Sequence, residues 1–262
     1  MQFNLKSDAF SLVLSGGGAL GIAHLGVLHD LREQQIVPTE IVGTSMGGII
    51  GACLAIGMSE SAIHARVREF SRLSNWIKFS LGGNAIIDTA KIAAIFDQVF
   101  GSRKMADTDI PLKLIATSLY DGNKKVFDAT DDLSIKDGLL ATMAIPGIFK
   151  EHSIDGVVYG DGFLSENLGL NEASCGNVLA VDVLGRNSFD RALPSGFFKT
   201  ANVLEMFEKS MRLLIYNQTQ TNLRHSAKNI LLLEPNTSDY KTYQFHKADE
   251  IRQLGLGVLT LN

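Results

Sequence analysis

Little in this chain points to a charged partner, a metal or a disulfide scaffold. Lys and Arg number 24 against 28 Asp and Glu, a formal net charge of -4. No positive field would gather a polyanion, and no nucleic-acid partner is expected. The two cysteines, Cys53 and Cys175, sit among apolar or small residues without CxxC or Cys/His ligand spacing. They read as buried free thiols of a reducing compartment. No low-complexity tract or long charge run marks a disordered tail. Ala9 to His29 and Ile41 to Ser59 carry no Asp, Glu, Lys or Arg, yet glycines interrupt both. The first also lacks a clear basic n-region and a small-residue cleavage site, so both read as buried strand-turn-helix units rather than membrane or export segments. Cytoplasmic residence, peripheral to the membrane, is expected.

What is present is a globular composition, 45% hydrophobic and 20% charged over 262 residues. That length suits one α/β domain spanning residues 1–262. Phe10 to Leu14 reads as a buried parallel strand, followed by Ser15-Gly16-Gly17-Gly18 and a helix whose apolar residues Ile22, Leu25, Leu28 and Val27, Leu31 recur at three and four. Ile41-Val42 begins a second strand, Ser45 opens a second helix, and Gly57 is placed to end it. Helices are expected from Ser59 to Leu73, Asp88 to Phe100, Ile135 to Met143, Thr200 to Ser226 and Ala248 to Leu254. Further strands fall at Leu112 to Leu119, Val178 to Val183 and Ile230 to Leu233. Gly122-Asn123 and Asp155-Gly156 supply hairpin turns. The pattern predicts a three-layer α/β/α sandwich with a mostly parallel central sheet. Trp76, Ile77, Phe79 and Leu81 lie in an apolar, glycine-bearing connection that reads either as a lipid-facing lid or as ordinary packing.

The chemistry centres on Gly43-Thr44-Ser45-Met46-Gly47. A serine between a short strand and a helix, pinched by glycines, is the pattern of a nucleophile elbow. Gly16-Gly17-Gly18-Ala19-Leu20-Gly21 formally matches GxGxxG, but a dinucleotide site wants an acid at the end of the second strand, and that strand ends in Gly43-Thr44-Ser45. The loop also lacks the Lys-Ser/Thr of a P-loop. Bare N–H groups of Gly16, Gly17 and Gly18 at a helix start, together with that of Met46, suit an oxyanion hole instead. A serine needs a base. His24, His29, His64, His152, His225 and His246 have no motif context and read as structural. Asp161 sits between Gly160 and Gly162, which let a carboxylate approach another residue closely.

These residues resemble the patatin-like phospholipase family. Gly16 to Gly21 with His24-Leu25-Gly26-Val27-Leu28 is similar to the family's oxyanion segment, Gly43 to Gly47 to its elbow, and Asp161-Gly162 to its catalytic-acid motif. The likeness extends through Ala144 to Phe149 and Asn167. It implies a Ser45–Asp161 dyad without histidine, hydrolysis of carboxylic esters of lipids such as phospholipids or lysophospholipids, and no cofactor or metal; Trp76, Ile77, Phe79 and Leu81 would suit transient contact with a membrane surface. Three positions depart from the family pattern: Leu20 for Arg or Lys, Phe163 for a small residue, and Gly169 for Pro. Two other readings stay open at this point, an acyltransferase on a related fold and a catalytically impaired lipid-binding relative.

Overall fold

The computed structural model describes residues 3–74, 89–188 and 200–259. The apolar connection at Trp76 to Leu81 and most of Gly185 to Gly196, the longest loop the sequence leads one to expect, lie outside them. The strands are β1 (Ser11–Leu14), β2 (Glu40–Thr44), β3 (Leu112–Ser118), β4 (Lys124–Phe127), β5 (His152–Ile154), β6 (Val157–Asp161), β7 (Asn177–Val181) and β8 (Asn229–Leu233). All join one sheet in the order β5-β6-β3-β2-β1-β7-β8, with β4 also on β3. The five strands from β3 to β8 in that order run parallel, while β4, β5 and β6 pair antiparallel.

The helices are α1 (His24–Glu33), α2 (Met46–Ala55), α3 (Glu60–Ser74), α4 (Thr89–Phe100), α5 (Ile135–Thr142), α6 (Thr200–His225) and α7 (Ala248–Gln253). The first helix differs from its expected form, because Gly18–Ala23 is a 3-10 turn before α1. Its cause is tertiary: the N–H of Ala19 donates to the Thr242 carbonyl at 2.7 Å, and Gly18 stands at φ 55, where only glycine is unstrained. Gly57 ends α2 at φ 78, and the Asp155-Gly156 hairpin turns through φ 50 and 80.

Side chains alternate across the sheet as the pleat requires. Leu12, Leu14, Ile41, Leu112, Leu114, Leu179 and Val181 enter the larger core with Leu25 and Leu28 of α1, Ile50 and Ala52 of α2, and Leu139 of α5. Val13, Val42, Ile115, Val178 and Ala180 face the other way, against Leu168, Leu170 and Ala173 and then Leu223 of α6. Three layers result, and the strands, buried on both faces, read as continuous apolar runs.

The register of β3 sets the site. Leu112 to Ile115 pair with Ile41 to Thr44 of β2 on one edge, while β4 occupies the other edge from Leu114 to Thr117. Only the first edge is then free beyond Ile115, and there Ala116 pairs with Asp161 of β6. β6 thus continues in line where β2 stops.

Candidate active site

β2 delivers Ser45 at its carboxyl end. The residue lies at φ 52, ψ -122 and opens α2, a strained backbone that a non-glycine residue holds only when its surroundings compel it. Its hydrogen bonding and the close packing of the flanking glycines do so. The Ser45 N–H donates to Thr142 Oγ1 at 2.9 Å, and Thr142 Oγ1 donates in turn to the Ile115 carbonyl. Thr142 belongs to α5 and is fully buried. At Gly47 a Cβ would lie 2.4 Å from the Leu14 carbonyl oxygen, and at Gly43 a Cβ would lie 2.5 Å from Gly48 Cα. The glycines of the elbow are therefore required by close backbone approach.

Asp161 ends β6 with its side chain fully buried. Oδ1 accepts from the Phe163 N–H at 3.0 Å, whereas Oδ2 has no hydrogen-bond partner among the described residues. Burial pushes its pKa up from 3.8 to about 7, opposed by the neighbouring Ser45 side chain and the Phe163 N–H, both of which favour the ionised form. Gly162 allows this placement: a Cβ there would sit 2.2 Å from the Ile115 carbonyl oxygen and 2.8 Å from Thr44 Cγ2. Thr117 Oγ1 donates to the Asp161 carbonyl at 3.1 Å. The segment beyond is splinted by α6, where Gln218 Nε2 donates to the Ser165 carbonyl and Gln218 Oε1 accepts the Asn167 N–H, at 2.8 and 3.0 Å. Lys124 bridges Glu166 and Glu172 across the same segment.

The glycine loop runs beside Ser45. A Cβ on Gly16 would lie 3.2 Å from Ser45 Cβ and 2.6 Å from Asn167 Oδ1. The Gly16 N–H is engaged by the Asn167 carbonyl at 3.3 Å, so of the four expected oxyanion donors this one is directed at the protein. The Gly17 and Gly18 N–H groups meet no acceptor among the described residues, and Met46, first in α2, has no intrahelical acceptor. The loop is held from below. His24 Nε2 lies 2.9 Å from the Ser15 carbonyl, and burial lowers the pKa of this histidine to about 4, so it is a neutral donor at physiological pH. Ser15 Oγ accepts the Val183 N–H at 3.0 Å, and Val183 Cγ2 would be 2.6 Å from a Cβ on Gly17. Asp182, buried directly after β7, accepts from the Leu184 N–H at 3.0 Å. Burial, with Glu234 adding repulsion, raises its pKa to about 7.

Among the described residues no histidine hydrogen-bonds to Ser45. His29 faces Glu60, His64 faces Asp249, His152 faces Asp137, and His225 meets the Thr221 carbonyl. No group of three or more His, Cys, Asp or Glu in the described residues converges as a metal site would. The departures are accommodated apolarly. Leu20 is fully buried in the main core, Phe163 packs partly against it, and the bare Cα of Gly169 leaves room for Ile115 and Val42. Sequence reasoning did not single out Thr142, Asp182 or Gln218, and it saw in Asn167 only a family likeness.

Residues 12–174 match the profile of patatin-like phospholipases. The lysophospholipase NTE1 of Debaryomyces hansenii is 26% identical over 96% of this chain and 18% of its own length. An uncharacterized NTE family protein of Mycobacterium bovis is 30% identical over 62% of this chain and 45% of its own. The chain thus spans less than half the length of these relatives. Among solved structures, VipD from Legionella pneumophila aligns over 97% of this chain and 70% of its own, with a TM-score of 0.45 and 13% identity. With the profile covering well over half of the sequence, including the glycine loop, the elbow and the buried acid, the chain belongs to the patatin-like phospholipase family.

Proposed function

We propose that the chain is a serine lipid acyl hydrolase that cleaves the carboxylic esters of phospholipids or lysophospholipids at Ser45. The observation that carries this is the register of β3, where Thr44 and Asp161 pair with the successive residues Ile115 and Ala116. The elbow serine and the acid meet along one strand edge. The profile match and the lysophospholipase relatives support lipid esters as the substrate class.

Ser45 Oγ attacks the acyl carbonyl as Asp161 Oδ2 takes its proton. A carboxylate of ordinary pKa is a poor base for this, and one raised to about 7 is better matched to neutral pH. The carbonyl oxygen, now negative, accepts from the N–H groups of Gly17, Gly18 and Met46, each donor contributing about 3 to 4 kcal/mol in the transition state. Gly16 contributes clearance, since any side chain there would meet Ser45. Asp161 returns the proton to the departing alcohol oxygen, and water then hydrolyses the acyl-Ser45 ester by the same exchange in reverse. Thr44, immediately before the nucleophile, is spoken for by its bond to the Glu166 carbonyl at 3.3 Å. Neither cofactor nor metal enters this scheme.

Among the described residues no helix is long and apolar enough to cross a membrane, and the proposed lipid contact is transient and peripheral. A series of p-nitrophenyl esters of graded chain length, followed by lysophospholipid and diacyl substrates, tests the reading alongside fluorophosphonate labelling. Release of free fatty acid and a label on Ser45 are expected. An unlabelled, folded and inactive protein refutes it.

A further inference from the structure

The Asn167 side chain is a buried polar group that pairs with nothing among the described residues. The residue is 1% exposed, and neither Oδ1 nor Nδ2 has a hydrogen-bond partner among the described residues. Its backbone, by contrast, is fully committed: the N–H goes to Gln218 of α6 and the carbonyl accepts from Gly16. The main chain is clamped between α6 and the glycine loop while the carboxamide is left over. Burying an amide this way costs about 1–3 kcal/mol, a cost that calls for a partner absent from the free protein.

The location says which partner. The carboxamide touches the face of Gly16 that also faces Ser45, because a Cβ on Gly16 would meet Asn167 Oδ1 at 2.6 Å and Ser45 Cβ at 3.2 Å. Gly17 and Gly18, whose N–H groups are unengaged by the described residues, follow directly. With no partner among the described residues fixing the amide, a half-turn about its Cβ–Cγ bond brings Nδ2 to the place Oδ1 now holds.

We propose that Asn167 is a further catalytic residue of this site, its Nδ2–H donating to the substrate carbonyl oxygen as that oxygen becomes the oxyanion. This rests on the hydrolase reading above. A side-chain donor there supplements the backbone amides and replaces the one that Gly16 spends on the Asn167 carbonyl.

The test compares the wild-type chain with Asn167→Leu, which keeps the heavy-atom count and branching and removes both polar groups, in steady-state p-nitrophenyl ester hydrolysis and thermal melts. The expected result is a kcat about 10²- to 10³-fold lower, with KM within about twofold and a Tm equal to or above wild type, since an unpartnered buried amide has been removed. Asn167→Asp, which keeps the shape and exchanges the donor for an acceptor, carries the test if the leucine variant does not fold. Assayed at about pH 9, where its carboxyl is ionised, it should lose at least as much activity. Unchanged kcat, a rise in KM alone, or an activity loss that tracks a lowered Tm overturns the proposal. If the wild type itself neither hydrolyses esters nor takes the fluorophosphonate label, the hydrolase reading fails first.

Discussion

Thr44 and Asp161 sit end to end on the same edge of β3, the first opposite Ile115 and the second opposite Ala116. The elbow and the acid come from positions far apart in the chain, and this shared strand edge brings them together. Because the acid is buried, its proton affinity is raised to about 7, and the first consequence is a pH dependence. As the proposed base it must be ionised, so kcat/KM is expected to rise about tenfold per pH unit in acid and to level off above about 7. A pH–rate profile from pH 5 to 9 checks this. A flat profile would deny Asp161 the role.

Stability should respond with the opposite sign. Asp161 and Asp182 each have a folded pKa near 7 against 3.8 for the unencumbered side chain. Between those values the unfolded chain has released protons that the native state still holds, so their contribution falls as pH rises from about 4 to 7 and stays low above. Replacing Asp182 by Asn removes one such group that takes no proton in the proposed reaction. Asp182→Asn is expected to raise Tm at pH 8 relative to wild type, to change it little at pH 4, and to leave the acid limb of activity in place. Melts at the two pH values, paired with the rate profile, separate the two buried acids.

Thr142 holds the strained serine backbone by accepting the Ser45 N–H. Thr142→Val keeps the shape and leaves that buried N–H without a partner, a loss of about 1–3 kcal/mol. Chemical denaturation measures it. A fall in kcat should accompany it, because the φ 52 conformation of Ser45 loses one of its restraints.

Gly16 and Gly162 distinguish crowding of the site from crowding of the fold. At Gly16 the added methyl of alanine meets the Asn167 carboxamide, a side-chain end that can rotate, and Ser45 Cβ at 3.2 Å, which needs a shift of only a few tenths of an ångström. Gly16→Ala is expected to fold with about 1–3 kcal/mol of lost stability and to lose most of its activity. At Gly162 the methyl meets the Ile115 carbonyl at 2.2 Å, part of the central sheet, so Gly162→Ala is expected to accumulate as insoluble protein. Soluble yield, melts and ester turnover of the pair report the difference.

What could be read from the chain beforehand follows the range of the interactions involved. The glycine loop, the elbow and the Asp161-Gly162 turn are local patterns whose backbone demands are written in consecutive residues. The hairpin at Asp155-Gly156 and the stop at Gly57 are of the same kind. Thr142, Asp182 and Gln218 carry no such signature: a threonine ending an ordinary helix, an aspartate just past an apolar strand and a glutamine on a long helix acquire their roles only when the fold brings them to the elbow, to Ser15 and to the segment after the acid. The 3-10 turn at Gly18–Ala23 was hidden for the same reason, since it depends on the Thr242 carbonyl. The engagement of the Gly16 N–H by Asn167 likewise separates one glycine from its neighbours in a way their identical side chains conceal.

The most direct test of the account is turnover of a p-nitrophenyl ester by Asp161→Asn, measured beside Ser45→Ala and His24→Gln with a thermal melt of each. With Asp161 as the base, the first two are expected to fold and lose ester hydrolysis, by about 10²- to 10⁴-fold or more for the missing base, while His24→Gln keeps its chemistry to the extent that it keeps its fold. Asp161→Asn turning over at close to the wild-type rate would contradict it.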